Sequence, residues 1–285
     1  VVVVTGANSG IGFHAAAALA EKNATVILAV RNLEKGAEAQ QKILASCPDA
    51  KIRVEELDLT SLDSIKAFAA KIIATEQRLD LLINNAGIMF PPLGRTEEGF
   101  ELQFGTNHLG HFALTARLFD LIASSVNSRI VNVASLAHRG GKLDFGDLNW
   151  QQRKYNKYQA YSDSKLANLY FTYELARRLE EREYLTLATA AHPGYTVTNL
   201  QNNMPMHTIV NPIFGQKAVK GALPTLRAAI DEDADYGEYY GPNGILEMGG
   251  YPRKVKSTEL SQNEENAIRL WEISEEMTGV EFPLA

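Results

Sequence analysis

Short apolar runs alternate along the chain with longer segments in which apolar residues recur at helical spacing. The runs predict strands over residues 1–5, 25–30, 52–57, 79–84, 129–134 and 185–191. The longer segments predict helices over residues 11–22, 33–46, 61–75, 106–126 and 155–181. Apolar strands that alternate with helices are typical of a parallel sheet covered on both faces. The pattern therefore predicts an α/β fold with a doubly wound parallel sheet.

The alternation continues past residue 185 without a linker, a repeat or a low-complexity segment. It predicts a single domain over residues 1–285, with a C-terminal extension at about 236–285. The least regular segment, about 193–215, follows the end of a strand, where such folds bind ligands. Both a substrate lid and a plain surface loop are compatible with it. Its apolar residues indicate either an adaptable apolar pocket or packing against the core: Leu200, Met204, Met206, Ile209, Val210, Ile213 and Phe214.

Charge and composition narrow the classes of partner. The net charge is −6, from 28 basic and 34 acidic residues, which argues against nucleic acid as a partner. Cys47 is the single cysteine, so no intramolecular disulfide can form, and no cluster of metal-ligand type is apparent. No apolar run has the length of a transmembrane segment, and no signal peptide pattern is present. We therefore expect a cytoplasmic protein without a metal, although the missing initial Met is compatible with a trimmed targeting segment.

A glycine-rich turn lies between the first predicted strand and the first predicted helix. Gly6, Gly10 and Gly12 permit a tight turn and a close approach of the backbone to a pyrophosphate, and Asn8, Ser9 and Ile11 complete the turn. The helix that follows offers free N–H groups and the positive end of its dipole. No Lys-Ser or Lys-Thr pair follows the last glycine, so the segment is not a P-loop. The context predicts a dinucleotide-binding site of the Rossmann type.

The end of the second strand bears on which nicotinamide cofactor binds. A site for NAD usually places an acidic residue here, whereas a site for the 2′-phosphate of NADP places an arginine nearby. Arg31 lies nineteen residues after Gly12, in the expected window, and Asn32 follows it. An arginine can hold a phosphate through charge-assisted hydrogen bonds. We therefore expect NADP(H) to be favoured over NAD(H).

Further motifs follow the glycine turn in a fixed order. They are Asp58-Leu59, Asn84-Asn85-Ala86-Gly87, Asn107, Ser135, the Y-x-x-x-K pair Tyr161 and Lys165, and Pro193-Gly194. In type and order this series resembles the short-chain dehydrogenase/reductases over residues 1–198. The resemblance implies a catalytic set of Asn107, Ser135, Tyr161 and Lys165.

The same resemblance assigns contacts to the cofactor. Asp58 and Leu59 would contact the adenine, and Lys165 would bond the nicotinamide ribose. The cofactor would also contact Asn85, Ala86, Gly87, Tyr161, Pro193, Gly194, Thr196 and Thr198. Asn107 would hold a water molecule that links Lys165 to solvent.

Four segments carry a narrower resemblance, to the retinol dehydrogenase-like branch, which includes relatives of the WW-domain oxidoreductase. They are Ser135-Leu136-Ala137-His138, His192-Pro193-Gly194, Tyr239-Tyr240-Gly241-Pro242 and Leu270-Trp271-Glu272-Ile273-Ser274. The branch is often linked to NADP(H), in agreement with Arg31. The resemblance also implies a homodimer or homotetramer through the two long helices, 106–126 and 155–181.

The spacing of Tyr161 and Lys165 has a chemical reason. Residues four apart on a helix share one face. A neighbouring ammonium group favours the phenolate and lowers the pKa of the tyrosine. Tyr161 can then exchange a proton with a carbonyl or alcohol oxygen, and Ser135 can donate a hydrogen bond to the same oxygen. Together with the family resemblance and the apolar residues of the 193–215 segment, this chemistry predicts an oxidoreductase that interconverts an apolar aldehyde or ketone and its alcohol.

Two residues near this set are candidates for contact with a small apolar substrate. His138 lies three residues after Ser135, and Tyr195 follows Pro193-Gly194. An ordinary loop histidine is an equally good interpretation of His138. Two other functions use the same fold: a non-catalytic dinucleotide sensor or scaffold, and a C=C reductase of the protochlorophyllide reductase type. The complete catalytic set favours an enzyme over a sensor.

Overall fold

A central sheet of eight strands organises the computed structural model, which describes residues 1–196 and 216–284. The strands are β1 (Val2–Thr5), β2 (Val26–Val30), β3 (Ile52–Glu56), β4 (Leu81–Asn84), β5 (Arg129–Val133), β6 (Leu187–Ala191), β7 (Tyr239–Pro242) and β8 (Pro252–Lys254). Their order across the sheet is β3-β2-β1-β4-β5-β6-β7-β8. Strands β1 to β7 pair in parallel, and β8 pairs antiparallel with β7. The chain reverses its direction of winding between β1 and β4, so a crevice forms at the carboxyl ends of these strands.

Helices cover both faces of this sheet. They are α1 (Gly10–Glu21), α2 (Leu33–Ser46), α3 (Leu62–Thr75), α4 (Leu102–Phe104), α5 (Gly110–Ala123), α6 (Lys157–Glu181), α7 (Ala218–Gly221), α8 (Leu223–Ile230) and α9 (Glu264–Thr278). Successive strand residues point to opposite faces. Val3 of β1 therefore packs into the cluster with α3, α5 and α6, whereas Val2 and Val4 pack into the cluster with α1, α2 and α8. The predicted doubly wound parallel sheet is confirmed.

The two last strands differ from the sequence prediction, which assigned no strand to the C-terminal extension. β7 contains Gly241 and Pro242, and β8 has three residues that include Pro252 and two basic side chains. Such short segments lack the apolar run that marks a buried strand. β7 nevertheless extends the sheet beside β6, and β8 closes its edge.

The long helix predicted over residues 106–126 is interrupted. A π-helical turn, Gly105–Leu109, separates α4 from α5, and the N–H of Gly110 donates to the carbonyl of Gly105. A π turn inserts one extra residue into a helix and is common at functional sites. Here it carries Asn107. The helical spacing of apolar residues continues through the turn, so the sequence pattern does not reveal it.

Helix α9 covers the long helices that the sequence assigned to pairing between two copies. The ring of Trp271 lies 5.3 Å from that of Phe112 on α5 and 5.9 Å from that of Phe171 on α6. The guanidinium group of Arg178 stacks on Trp271 at 4.3 Å. The chain's own C-terminal helix therefore packs against part of α5 and α6. Among the described residues, no helix has the length and apolar character required to traverse a bilayer.

Candidate active site

A cavity of about 780 Å³ opens at the carboxyl ends of the central strands. Most residues predicted to bind cofactor or substrate line it. They are Gly6, Asn8, Ser9, Gly10, Ile11, Gly12, Arg31, Asp58, Leu59, Asn85, Ala86, Gly87, Ser135, Tyr161, Lys165, Pro193, Gly194, Tyr195 and Thr196. The fold thus brings residues from both halves of the chain to one crevice.

Three predicted site residues in the described part of the chain do not line this cavity, and a fourth lies outside that part. Asn107 is fully buried behind Gly87, where a Cβ would meet the Asn107 Oδ1 at 3.1 Å. Asn32 uses its side-chain oxygen to cap helix α2, accepting from the N–H of Lys35 at 2.9 Å. His138 is buried beneath Ser135, as described below, and Thr198 lies outside the described residues, as do residues 197–215 of the predicted lid.

The glycine turn has the geometry that a pyrophosphate site requires. Gly6 has φ +65°, a conformation that favours glycine. A Cβ on Gly12 would lie 2.4 Å from Nδ2 of Asn85 and 2.8 Å from the carbonyl oxygen of Gly6, so only glycine fits there. Helix α1 begins directly after Ser9, whose side chain makes no capping hydrogen bond. The N-terminus of α1 therefore presents backbone donors at the cavity, and these suit a diphosphate.

Thr5, at the end of β1, fixes the segment Asn85-Ala86. Its Oγ1 accepts from the backbone N–H groups of both residues at 2.9 Å. Its hydroxyl hydrogen is then directed to Nε2 of His111, also at 2.9 Å. The side-chain Nδ2 of Asn85 donates a hydrogen bond to the Thr5 carbonyl at 2.8 Å. Thr5 and His111 were not assigned roles from the sequence, because the hydrogen bonds join segments that are far apart in the chain.

Arg31 and Asp58 lie at the end of the cavity that continues from the glycine turn. Arg31 is exposed at the end of β2, with its side chain at the cavity wall. Asp58 holds Thr60 through two hydrogen bonds from the backbone N–H and the hydroxyl, at 2.9 and 2.7 Å. Among the described residues that line the cavity, Asp58 is the only acid. An anionic ligand group bound beside Arg31 would therefore contact a positively charged guanidinium group.

Ser135, Tyr161 and Lys165 converge at the other end. Ser135 follows the end of β5, and Tyr161 and Lys165 occupy successive turns of α6. Nζ of Lys165 donates to the backbone carbonyl of Val133 at 2.9 Å and lies 5.8 Å from the centre of the Tyr161 ring. Both side chains are almost fully buried. The close grouping predicted from the sequence is therefore present.

Burial is the largest influence on the pKa values of Tyr161 and Lys165. It raises the pKa of Tyr161 to about 12, and a hydrogen bond with Ser135 opposes that rise. It lowers the pKa of Lys165 to about 8, because the interior disfavours the ammonium form. The expectation that Lys165 lowers the pKa of Tyr161 is not met in this structure, since the ammonium group bonds the Val133 carbonyl. Tyr161 is therefore a protonated phenol at neutral pH, ready to donate.

Asn107 forms hydrogen bonds that hold the segment at Ile88 beside Tyr161 and Lys165. Its Oδ1 accepts from the N–H of Ile88 at 2.9 Å, and its Nδ2 donates to the Ile88 carbonyl at 3.1 Å. Nδ2 also donates to Oγ of Ser164 at 2.9 Å, and that hydroxyl donates to the Tyr161 carbonyl at 2.8 Å. The Asn107 side chain thus connects the segment after β4 to the turn of α6 that carries Tyr161.

Gln216 and the C-terminal extension complete the site in a way that the sequence did not indicate. The N–H of Tyr195 donates to the carbonyl of Met248 at 2.7 Å, and Nε2 of Gln216 donates to the carbonyl of Pro193 at 2.6 Å. Nε2 of His192 donates to Glu247 at 3.1 Å. Met248 also lines the cavity. No local pattern marks Gln216, Glu247 or Met248, because each acts on a segment far from it in sequence.

Comparison with known proteins agrees with this geometry. The family described as short chain dehydrogenase matches residues 1–208. Retinol dehydrogenase 13 of Homo sapiens is 44% identical over 293 residues, covering 99% of this chain and 85% of its own. Retinol dehydrogenase 12 of Mus musculus is 38% identical, covering 99% and 87%.

A solved structure extends the likeness to three dimensions. An uncharacterized protein from Mycobacterium paratuberculosis superposes with a TM-score of 0.84 at 42% identity, covering 99% of this chain and 94% of that one. The family match, the near full-length relatives and the shared fold all lead to one assignment. The chain belongs to the short-chain dehydrogenase family of oxidoreductases, and within it is similar to the retinol dehydrogenases.

Proposed function

We propose that the protein is an NADP(H)-dependent oxidoreductase that interconverts an apolar aldehyde or ketone and the corresponding alcohol. The observation that carries the proposal is that one cavity is lined by Ser135, Tyr161 and Lys165 at one end and by Arg31 at the other. The glycine turn between them suits a diphosphate. This arrangement has the length and polarity of a dinucleotide site that ends at an acid–base group.

The chain's own residues perform the proton chemistry in this proposal. The bound cofactor supplies the hydride to the carbonyl carbon, or accepts it in the reverse direction. Ser135 donates a hydrogen bond to the substrate oxygen, where negative charge develops. Tyr161 gives its phenolic proton to that oxygen, so that the alcohol is formed with balanced charge. Lys165 places its ammonium group 5.8 Å from the centre of the ring on which the phenolate forms, and Asn107 keeps α6 in register with the segment at Ile88.

Arg31 supports the preference for NADP(H). A 2′-phosphate beside Arg31 would form charge-assisted hydrogen bonds, and no acid from β2 competes for the guanidinium group. An NAD site normally has an acidic residue that binds both ribose hydroxyls there. The exposed position of Arg31 leaves its five donors accessible to a ligand.

The wall around the catalytic end supports an apolar substrate. Ile88, Met89, Leu136 and Met248 line it, and none of these side chains offers a strong hydrogen bond. The relatives are named for retinol, itself an apolar alcohol. We place the substrate among apolar carbonyl compounds and alcohols.

Titration of the protein with NADPH and with NADH, followed by fluorescence, tests the cofactor. A panel of apolar aldehydes and ketones is then added, and the oxidation of NADPH is recorded at 340 nm, its standard wavelength. We expect tighter binding of NADPH and turnover of at least one carbonyl compound. Failure of the folded protein to bind either dinucleotide would refute the proposal, and binding without any turnover would refute its catalytic part.

A further inference from the structure

Phe90 has an unusual backbone conformation beside the catalytic tyrosine. Its φ is +58°, in the left-handed region, although it is neither glycine nor asparagine. A bulky residue in this region is strained, and such strain persists only where the surroundings hold it in place. Strained residues of this kind cluster at functional sites, so Phe90 is a candidate for a functional role.

Gln103 supplies the restraint. This side chain is fully buried, and its Oε1 accepts from the backbone N–H of Phe90 at 2.9 Å. Its Nε2 donates to the hydroxyl of Tyr155 and to the carbonyl of Lys157, each at 3.0 Å. One amide thus connects the backbone of Phe90 to the start of α6, the helix that carries Tyr161. The strained conformation is therefore tied to the catalytic helix.

The ring of Phe90 is held against two tyrosines. Its centre lies 5.2 Å from the ring of Tyr161, at an interplanar angle of 76°, and 4.6 Å from the ring of Tyr158, at 62°. Edge-to-face contacts of this kind fix the orientation of an aromatic ring. Phe90 also lines the cavity, so part of the fixed ring is available to a ligand next to Tyr161.

The surroundings of this ring contain little that could select a substrate by hydrogen bonding. The cavity-lining residues that flank Phe90 and Ser135 in sequence are apolar: Ile88, Met89, Ala134, Leu136 and Ala137. Aliphatic and thioether side chains adapt to many shapes. Phe90, by contrast, is flat and is held on two sides by Tyr158 and Tyr161.

We propose that Phe90 is a specificity-determining residue, which selects carbonyl substrates that bear a flat, aromatic group on the carbonyl carbon. The inference rests on the proposed carbonyl reduction and adds the substrate class. A flat substituent can lie against the fixed ring while the carbonyl oxygen reaches Tyr161. A saturated ring of the same size is puckered and gains no aromatic contact.

Two matched aldehydes test this selection. The kcat/KM for NADPH-dependent reduction is measured for benzaldehyde and for cyclohexanecarbaldehyde, and the ratio is compared between the wild type and Phe90→Leu. Because the intrinsic reactivities of the aldehydes are the same for both proteins, they cancel in this comparison. We expect the ratio to fall about fivefold or more in Phe90→Leu, the order of one aromatic contact. It should stay within about twofold of the wild type in Phe90→Tyr, which keeps the ring.

Phe13→Leu is the matched control, because Phe13 is also half-buried and aromatic but does not line the cavity. Its ratio should equal that of the wild type. An unchanged ratio in Phe90→Leu, with turnover intact, would overturn the role of Phe90 and leave the proposed function standing.

Absence of wild-type turnover on both aldehydes would count against the proposed function instead. The binding of benzyl alcohol relative to cyclohexylmethanol, measured by calorimetry on the complex with NADP⁺, then decides the role of Phe90 without catalysis. Equal selectivity in the wild type and in Phe90→Leu would overturn it.

Discussion

Nδ1 of His111 donates a hydrogen bond to the backbone carbonyl of Asn107, four residues earlier, at 3.0 Å. Since Nε2 of the same ring accepts from Thr5, His111 is a neutral Nδ1–H tautomer. Burial lowers its pKa to about 4, in agreement with that state. The ring joins the π turn that carries Asn107 to the strand end that holds Asn85 and Ala86. It therefore links the catalytic side of the cavity to the dinucleotide side.

His111→Phe tests this link. The variant removes both hydrogen bonds of the ring: the Asn107 carbonyl loses a buried donor, whereas the Thr5 hydroxyl can still donate to the Ile83 carbonyl at 3.4 Å. We therefore expect the free energy of unfolding to fall by about 1–3 kcal/mol. We also expect weaker NADPH binding, because Thr5 positions Asn85 and Ala86. Urea denaturation and fluorescence titration measure the two effects.

His108→Phe is the control for His111. His108 lies on the π turn just before α5 and is as buried as His111, but it bonds Ser274, and its Nδ1 has no partner among the described residues. Phenylalanine removes that unsatisfied atom, so the loss of stability should be small and cofactor binding unchanged. Equal losses in the two variants would show that His111 has no special connection to the site.

Tyr161→Phe removes the phenolic proton and keeps the ring. General acid catalysis contributes a factor of about 10²–10⁴, so kcat should fall by at least about 100-fold. The dissociation constant of NADPH should change little, since the ring still fills its place. Tyr158→Phe, on the preceding turn of α6 and half exposed, should retain wild-type turnover. Near-normal turnover of Tyr161→Phe would contradict the acid–base role.

Arg31→Asp replaces the proposed phosphate-binding cation by a carboxylate. We expect NADPH affinity to fall by about 10–100-fold, the order of one or two charge-assisted hydrogen bonds. NADH affinity should hold or rise, because an acid can bind the ribose hydroxyls. Lys66→Asp makes the same change of charge on exposed α3, away from the cavity, and should leave the affinity ratio as it is. An unaltered ratio of NADPH affinity to NADH affinity in Arg31→Asp would show that another group binds the 2′-phosphate.

Lys165→Met should abolish turnover and stabilise the fold. Burial lowers the pKa of Lys165 from 10.5 to about 8, so the folded state holds an ammonium group at a cost of about 3 kcal/mol at neutral pH. The lost bond from the ammonium group to the Val133 carbonyl offsets about 2 kcal/mol, and Asn168 still donates to that carbonyl. The net gain in free energy of unfolding is therefore about 1 kcal/mol.

The pH dependence of the free energy of unfolding tests the cost of burying the Lys165 ammonium group. Between pH 8 and 10.5 the unfolded lysine binds more protons than the folded one, so wild-type stability rises with pH in this window. The advantage of Lys165→Met should therefore shrink there. Denaturant titrations at pH 7 and pH 10 measure it, with Lys66→Met as an exposed control. A destabilised Lys165→Met at pH 7 would contradict a buried, charged lysine.

The sequence was sufficient for the parts of this protein that depend on local pattern. The parallel strands are buried on both faces, so their apolar runs are distinct. Tyr161 and Lys165 share a helix face because of their spacing alone. The motif order also located the cavity, since the carboxyl ends of parallel strands meet at one edge.

Other features depend on contacts that no local pattern encodes. His138 follows Ser135 closely, but a 3₁₀ turn over Leu136–Gly140 directs its Nδ1 to the Ser135 carbonyl, and its ring packs on Tyr239. The π turn has the same apolar spacing as a helix. The bonds of Met248 and Gln216 to the segment at Pro193 join positions that are distant in the chain.

The backbone hydrogen bond between Tyr195 and Met248 also constrains the length of the loop between β7 and β8. Backbone hydrogen bonds from Asn243 to Tyr251 and from Gly244 to Gly249 close a small ring at the tip of the hairpin between β7 and β8. One inserted residue inside that ring would displace the Met248 carbonyl by about 3–4 Å, the span of one residue. The Pro193-Gly194 turn would then lose its anchor. Insertions and deletions in this hairpin should therefore reshape the cavity wall at Pro193-Gly194, even though the hairpin lies beyond residue 208, where the family match ends.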